Sequence, residues 1–233
     1  MNSGFELFYK EAILVKNVFP GLDIMERDFK QIIAGELVLI DNEGIPHKSY
    51  SIEIHPVLEY PFRFPLVFET GGRIPVNIDW HIFESDGHCC LKTYAEELLI
   101  CKKGLTLNSF IEKEVKPYFF NQAFREHHGY FMQERSHGYL GELEFFFELF
   151  RTRDLEQLYK LITFTENGLE PHRTDECFCG SREKYRRCHR NAFRVMVQFT
   201  NQEIKLFKHK IVHSPQFINE YPLLALTEQG RFI

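Results

Sequence analysis

The chain has no run of about 18 consecutive apolar residues, the length a helix needs to cross a bilayer, so a membrane span is not expected. Its opening residues, MNSGFELFYKEA, lack the basic flank and apolar centre of a secretory signal, and the protein reads as soluble, unexported and cytoplasmic. Positive charge is not in excess either. With 28 Lys and Arg against 33 Asp and Glu, the net charge is −5, which disfavours a nucleic-acid partner, since such partners select a basic face. There is no fixed-period repeat and no low-complexity tract. A disulfide ladder is missing as well: Cys89 and Cys90 are adjacent, Cys101 stands alone, and Cys177, Cys179 and Cys188 fall together late in the chain. In a reducing compartment, cysteines grouped this way serve as metal ligands or nucleophiles rather than bridges.

What is present suits an ordered globular protein. Hydrophobic residues make up 44% and charged residues 26% of 233, and 24 Phe with 10 Tyr make the interior aromatic. That length allows one domain of about 150 residues and an appendage. Phe5 to Val18 carries apolar side chains at helical spacing and is stopped by Pro20-Gly21, which predicts an N-terminal helix. From Gly35 to Phe68 the pattern becomes alternating: GELVLID, a turn at Asn42-Glu43-Gly44, HKSYSIEIHP, then LVFET. This predicts an antiparallel meander. Residues 74–91 are a long loop with Pro75, Trp80, His81, Gly87 and the cysteine pair, and loops of that length usually carry function or are ordered within the core. Helical spacing returns from Thr106 to Glu126, with Thr106 or Asn108 as cap and Pro117 as a kink. Helical segments also flank the late cysteines, and a boundary near Gly138 separates residues 1–137 from 138–233.

The run from Tyr50 to Leu91 has an ordered set of features: an alternating strand, Tyr60-Pro61-Phe62 and Pro65, a second strand, a loop with His81, then Gly87 and Cys90-Leu91. In this it resembles the ubiquitin-conjugating enzyme family. The resemblance implies an α+β fold: an N-terminal helix, a four-stranded antiparallel meander, an active-site loop and C-terminal helices. It also implies that Cys90, with Gly three residues before it and Leu after it, is the thioester-forming residue rather than Cys89. Read as residues alone, either cysteine also suits a small buried core position.

Thiolate attack on a thioester needs access and an oxyanion partner more than acid/base machinery. The family's His-Pro-Asn triplet is absent, and Trp80-His81-Ile82 lies nearest its place. His81 is therefore either the oxyanion donor or a brace for the loop, and a bacterial branch of the family has His there. Asn77 lies too far upstream to match the family's Asn. His88 lies next to the cysteines and could lower a thiol pKa, but on an extended segment a neighbour in sequence points to the opposite side. Glu84 and Asp86 are secondary candidates for orienting an incoming lysine. Arg73 is read as a structural donor to loop carbonyls, and Cys101 as structural.

The stretch Glu176 to His189, ECFCGSREKYRRCH, resembles the SEC-C motif: C-x-C-G-S, a basic turn with Lys-Tyr, and a terminal Cys-His pair. Cys177, Cys179, Cys188 and His189 form a common tetrahedral zinc set, and a closed four-ligand site is structural because a catalytic one leaves a position open to water. The appendage is thus expected to be a small helical zinc-binding region, which leaves no ligand set for a zinc hydrolase. Arg182, Lys184, Arg186 and Arg187 make the motif locally basic, through solvated charges or a surface for an acidic partner.

Two functions follow. One is a conjugating enzyme that accepts a ubiquitin-like protein from an activating enzyme onto Cys90 and passes it to an amine on a protein target. By resemblance this belongs to bacterial operons, often antiphage; a variant transfers the activated C-terminus of a nucleotidyltransferase in cyclic-oligonucleotide signalling. The other is a catalytically silent module of the same fold that binds a ubiquitin-like protein or a peptide.

Overall fold

The computed structural model describes residues 4–40, 44 and 46–229, so of the expected turn Asn42 and Glu43 lie outside the described residues. The chain forms two compact units, Met1–Arg135 and Ser136–Ile233.

The first unit is α+β. Helix α1 (Gly4–Val18) buries Phe8, Ala12 and Val15, a stripe at helical spacing. Strands β1 (Leu22–Arg27), β2 (Lys30–Ile40), β3 (Pro46–His55) and β4 (Leu66–Glu69) pair antiparallel in the order β1-β2-β3-β4, a meander. Register explains the core. Ile33 pairs with Ile54, Gly35 with Ile52 and Leu37 with Tyr50, so the apolar side chains of both strands share one face. At the base of the sheet, Gly21 and Gly35 must be glycine. A Cβ on Gly21 would lie 2.2 Å from the Glu36 carbonyl oxygen, and one on Gly35 2.1 Å from that of Gly21.

Strand β1 is not among the segments the alternation singles out. Its hairpin to β2 turns on Asp28 and Phe29, both at positive φ (50° and 60°), where a two-residue turn ordinarily shows Asn-Gly. Tyr60 lies in the connection from β3 to β4 and ties it to α1. It is buried, packs edge-on against Phe8 at 5.9 Å, and donates to Glu11 at 2.6 Å; the same carboxylate accepts from the Leu107 N–H at 2.7 Å. The bond between Tyr60 and Pro61 is cis.

After the loop come α2 (Tyr94–Lys102), α3 (Leu107–Phe110), a π turn (Ile111–Val115) and α4 (Lys116–His128), the last three running on without a break. Thr106 caps α3 by accepting from the Ser109 N–H at 3.3 Å. Pro117 produces the π turn rather than a kink: it has no N–H to donate and its ring crowds the preceding turn, so the Lys116 N–H reaches five residues back to Ile111. Phe119 of α4 packs on Tyr50 at 4.8 Å, and Glu126 accepts from the Tyr50 hydroxyl at 2.6 Å, which seats α4 on the sheet.

The second unit is helical: α5 (Gly138–Phe150), α6 (Leu155–Glu166), α7 (Arg190–Met196), α8 (Asn201–Val212), α9 (Pro215–Glu220) and α10 (Pro222–Gln229). Asp154 starts α6 by accepting from the Gln157 N–H at 2.6 Å. Phe146 of α5 and Phe207 of α8 meet at 5.0 Å. The cysteine cluster lies between α6 and α7 in the chain. Among the described residues no helix is long and apolar enough to cross a membrane.

Candidate thiol site and metal centre

The loop after β4 is built in three steps. The Glu69 carboxylate accepts from the N–H groups of Gly71 at 2.9 Å and Arg73 at 3.1 Å, which sets the first bend. Asn77 then caps a 3-10 turn, Ile78–Trp80, by accepting from the Asp79 N–H at 2.7 Å. His81 ends that turn in the left-handed region, at φ 54°. The reversal lays Ile82 beside Cys89, with the Phe83 N–H on the His88 carbonyl at 2.9 Å and Gly87 turning at φ 83°.

This small hairpin decides which cysteine meets solvent. The Cys89 N–H bonds the Val67 carbonyl at 2.7 Å, and the Cys90 N–H bonds the His81 carbonyl at 2.8 Å. Successive side chains in an extended segment take opposite faces. Cys89 enters the core, and Cys90 is half-buried. Cys101 is buried in the same core. Outside the late cluster, Cys90 is thus the one cysteine with access to solvent. A ring nitrogen of His81 lies within 4.8 Å of its sulfur.

The site does not activate the thiol at rest. Burial, helped by the charge of Glu96 on α2, pushes Cys90 up to about 11, and burial pushes Cys89 up to about 12. At neutral pH the protonated thiol therefore dominates.

Helix α4 holds the loop with three residues the sequence reading does not single out. Tyr118 donates to the His81 carbonyl at 3.0 Å, Gln122 donates to the Trp80 carbonyl at 2.7 Å, and Arg125 donates to the Asp79 carbonyl. The Arg125 guanidinium also covers the Trp80 ring at 3.9 Å and Phe131 at 4.5 Å, and Phe131 meets His81 edge-on at 4.9 Å. The i, i+4, i+7 spacing of these polar residues on a helix that follows an ordered loop is the signal that was there to find.

The secondary candidates fall elsewhere. His88 hydrogen-bonds Asp86 at 2.6 Å and stacks on Phe83 at 4.4 Å, so both polar groups serve the hairpin turn. Glu84 is exposed. Arg73 donates to a strand carbonyl, that of Ser49 at 2.9 Å, and not to the loop.

The late cluster converges. Ligand atoms of Cys177, Cys179, Cys188 and His189 all lie within 4.8 Å of one another. The Cys177 N–H bonds the Glu183 carbonyl at 2.8 Å, and the Gly180 N–H bonds the Cys177 carbonyl at 3.1 Å, with Gly180 at φ 80° closing a tight turn. Tetrahedral zinc with Zn–S near 2.3 Å sets S···S separations of about 3.8 Å and S···N separations of about 3.6 Å. Here Cys179 and Cys188 sulfurs are 3.6 Å apart, and His189 Nδ1 is 3.3 Å from Cys177 and 3.2 Å from Cys188. The donor set fits the ion.

The other face of the imidazole is also arranged. His189 Nε2 lies 2.7 Å from the Phe150 carbonyl at the C-terminus of α5, which accepts its proton and leaves Nδ1 as the ligand. Phe164 stacks on Phe178 at 4.2 Å, and Cys177, Tyr185 and Phe193 form a buried cluster beneath. A cavity of about 440 Å³ opens beside Cys179, Cys188 and His189, with Arg151 and Ser181 on its wall. Arg182, Lys184, Arg186 and Arg187 are exposed around the motif.

Neither a curated protein nor a solved structure matches the chain. The resemblance around Cys90 rests on its residues alone. Residues 173–191 match the SEC-C motif, and the chain carries that motif with a Cys3His set that fits a metal ion.

Proposed function

We propose that the chain is a conjugating enzyme of the ubiquitin type, carrying a ubiquitin-like protein on Cys90. The observation that carries this reading is the partial solvent access of Cys90, on a loop ordered from both sides, beside the His81 ring. Further support comes from the layout of the first unit, a helix, a four-stranded meander, a cysteine loop and then helices, which is what the residue resemblance implies.

The Cys90 sulfur attacks the thioester carbonyl of the modifier, the new C–S bond forms, and the activating enzyme's thiol leaves with the proton that Cys90 gives up. An amine of the target then displaces Cys90 and becomes an amide, the proton it loses returning to the departing Cys90 thiol. His81 donates a hydrogen bond to the oxyanion in each step. Cys177, Cys179, Cys188 and His189 hold zinc, which ties the loop of a motif too small to fold by core burial alone.

A second reading is favoured by one observation. The burial that keeps Cys90 protonated suits a silent module that binds a ubiquitin-like protein without accepting it. Charging separates the two. With ATP, the activating enzyme and a ubiquitin-like protein, wild type and Cys89→Ala should form an adduct that reductant removes, and Cys90→Ala should form none. An adduct on none of the three, with partners shown to be active, leaves the silent module; an adduct that survives in Cys90→Ala moves the nucleophile elsewhere.

A further inference from the structure

The geometry points to α4 as the positioning element of the thiol site: we propose that Tyr118, Gln122 and Arg125 hold in place the backbone on which both Cys90 and His81 are mounted. Three side chains from one helical face take three consecutive carbonyls, those of His81, Trp80 and Asp79. The His81 carbonyl is shared. It accepts from the Tyr118 hydroxyl and from the Cys90 N–H, so two hydrogen bonds link α4 to the backbone of the nucleophile.

Two further observations separate this from ordinary packing. Gln122 is 1% exposed, and its Oε1 is buried with no hydrogen-bond partner. An apolar residue of the same size would fill the space without that unpaired acceptor, so what the amide contributes is its bond to the Trp80 carbonyl. His81 is a non-glycine residue in the left-handed region, a conformation that persists where its surroundings over-determine it. The donors of α4 on its own and the two preceding carbonyls supply that constraint. Reactive groups mounted on a strained turn need such a hold, because a misplacement of about 1 Å can cost about a hundredfold in rate.

The test reads the link directly in the full chain. The Cys90 N–H reports it, and the Glu36 N–H, bonded to the Gly21 carbonyl at the start of the sheet, is the internal control. In Tyr118→Phe combined with Gln122→Met, amide hydrogen exchange at Cys90 should speed up about tenfold while that at Glu36 stays as in wild type. Tyr118→Phe alone, which removes one oxygen, should give a smaller rise at Cys90 and none at Glu36, and serves if the double variant does not fold. Equal acceleration at both amides, or none at Cys90, overturns the proposal.

The consequence for thioester formation rests on the function proposed above: the double variant should charge at least tenfold more slowly. If wild type does not charge but Cys90 exchange responds to the variant, the enzymatic reading fails and the positioning role stands. If wild type charges and the variant charges equally fast with unchanged exchange, the positioning role fails and the enzymatic reading stands.

Discussion

Cys89 and Cys90 are chemically identical and one position apart, and the difference between them is which way an extended backbone points each. The family resemblance implies Cys90, and the residues after it carry no sign that its thiol is shielded. That information comes from α2, where Thr93 and Glu96 form a capping box and the Glu96 carboxylate is left facing the site. The Thr-x-x-Glu pattern was readable in the sequence; its direction relative to Cys90 depends on the path of the chain and was not. A consequence follows for reactivity. With the Cys90 pKa raised to about 11 from 9.0, the protonated form dominates from neutral pH up to that point. Alkylation of Cys90 by iodoacetamide at pH 7 should therefore be about a hundredfold slower than that of a cysteine with the unshifted value, and should rise about tenfold per pH unit. Mass spectrometry of the Cys90 peptide over pH 7–10.5 checks this. A rate that levels off near pH 8 would mean that the His81 ring beside the sulfur stabilises the thiolate against burial and the charge of Glu96.

Elements with a strong period were legible. Phe8, Ala12 and Val15 mark the buried stripe of α1, and Tyr50, Ile52 and Ile54 mark the buried face of β3. Strand β1 was not, because LDIMER alternates weakly and its turn contains no glycine. Phe29 is fully exposed and sits at φ 60°, so its side chain contributes little packing while its backbone is strained. Phe29→Gly should relieve about 1–2 kcal/mol of left-handed strain and give back part of it through the freer unfolded chain, a net gain of about 0.5–1 kcal/mol. Urea unfolding should show the midpoint rising with an unchanged slope. A lower midpoint would mean that the Phe29 ring does contribute packing at the hairpin. The π turn before α4 has the same kind of origin: Pro117 announces a local break in the hydrogen-bond ladder, and only the packed helix shows that the break is absorbed within one turn.

At the level of the whole molecule, each unit has its own core, and the metal motif belongs to the second. The ligand set was fully legible because a short loop with four donors leaves few ways to satisfy them. The hydrogen bond from His189 to the α5 carbonyl was not, because Phe150 lies 39 positions away in the chain. That bond would join an ion held by the motif to a helix as well as to its own loop, so metal loss should loosen more than the motif. The sole tryptophan, Trp80, lies in the other unit, beneath Arg125. Tryptophan fluorescence therefore reports melting of the unit that carries Cys90, while circular dichroism at 222 nm also registers the helices of the second. The purified chain should contain one zinc per molecule by elemental mass spectrometry. The cavity beside Cys179, Cys188 and His189 gives a chelator access, and because an ion bound only by the folded state stabilises that state, chelation should lower the dichroism transition and leave the Trp80 transition where it was. An equal shift in both would mean that the two units melt together. No shift in either, with the zinc demonstrably gone, would mean that the aromatic cluster of Phe178, Tyr185 and Phe193 holds the motif without its ion.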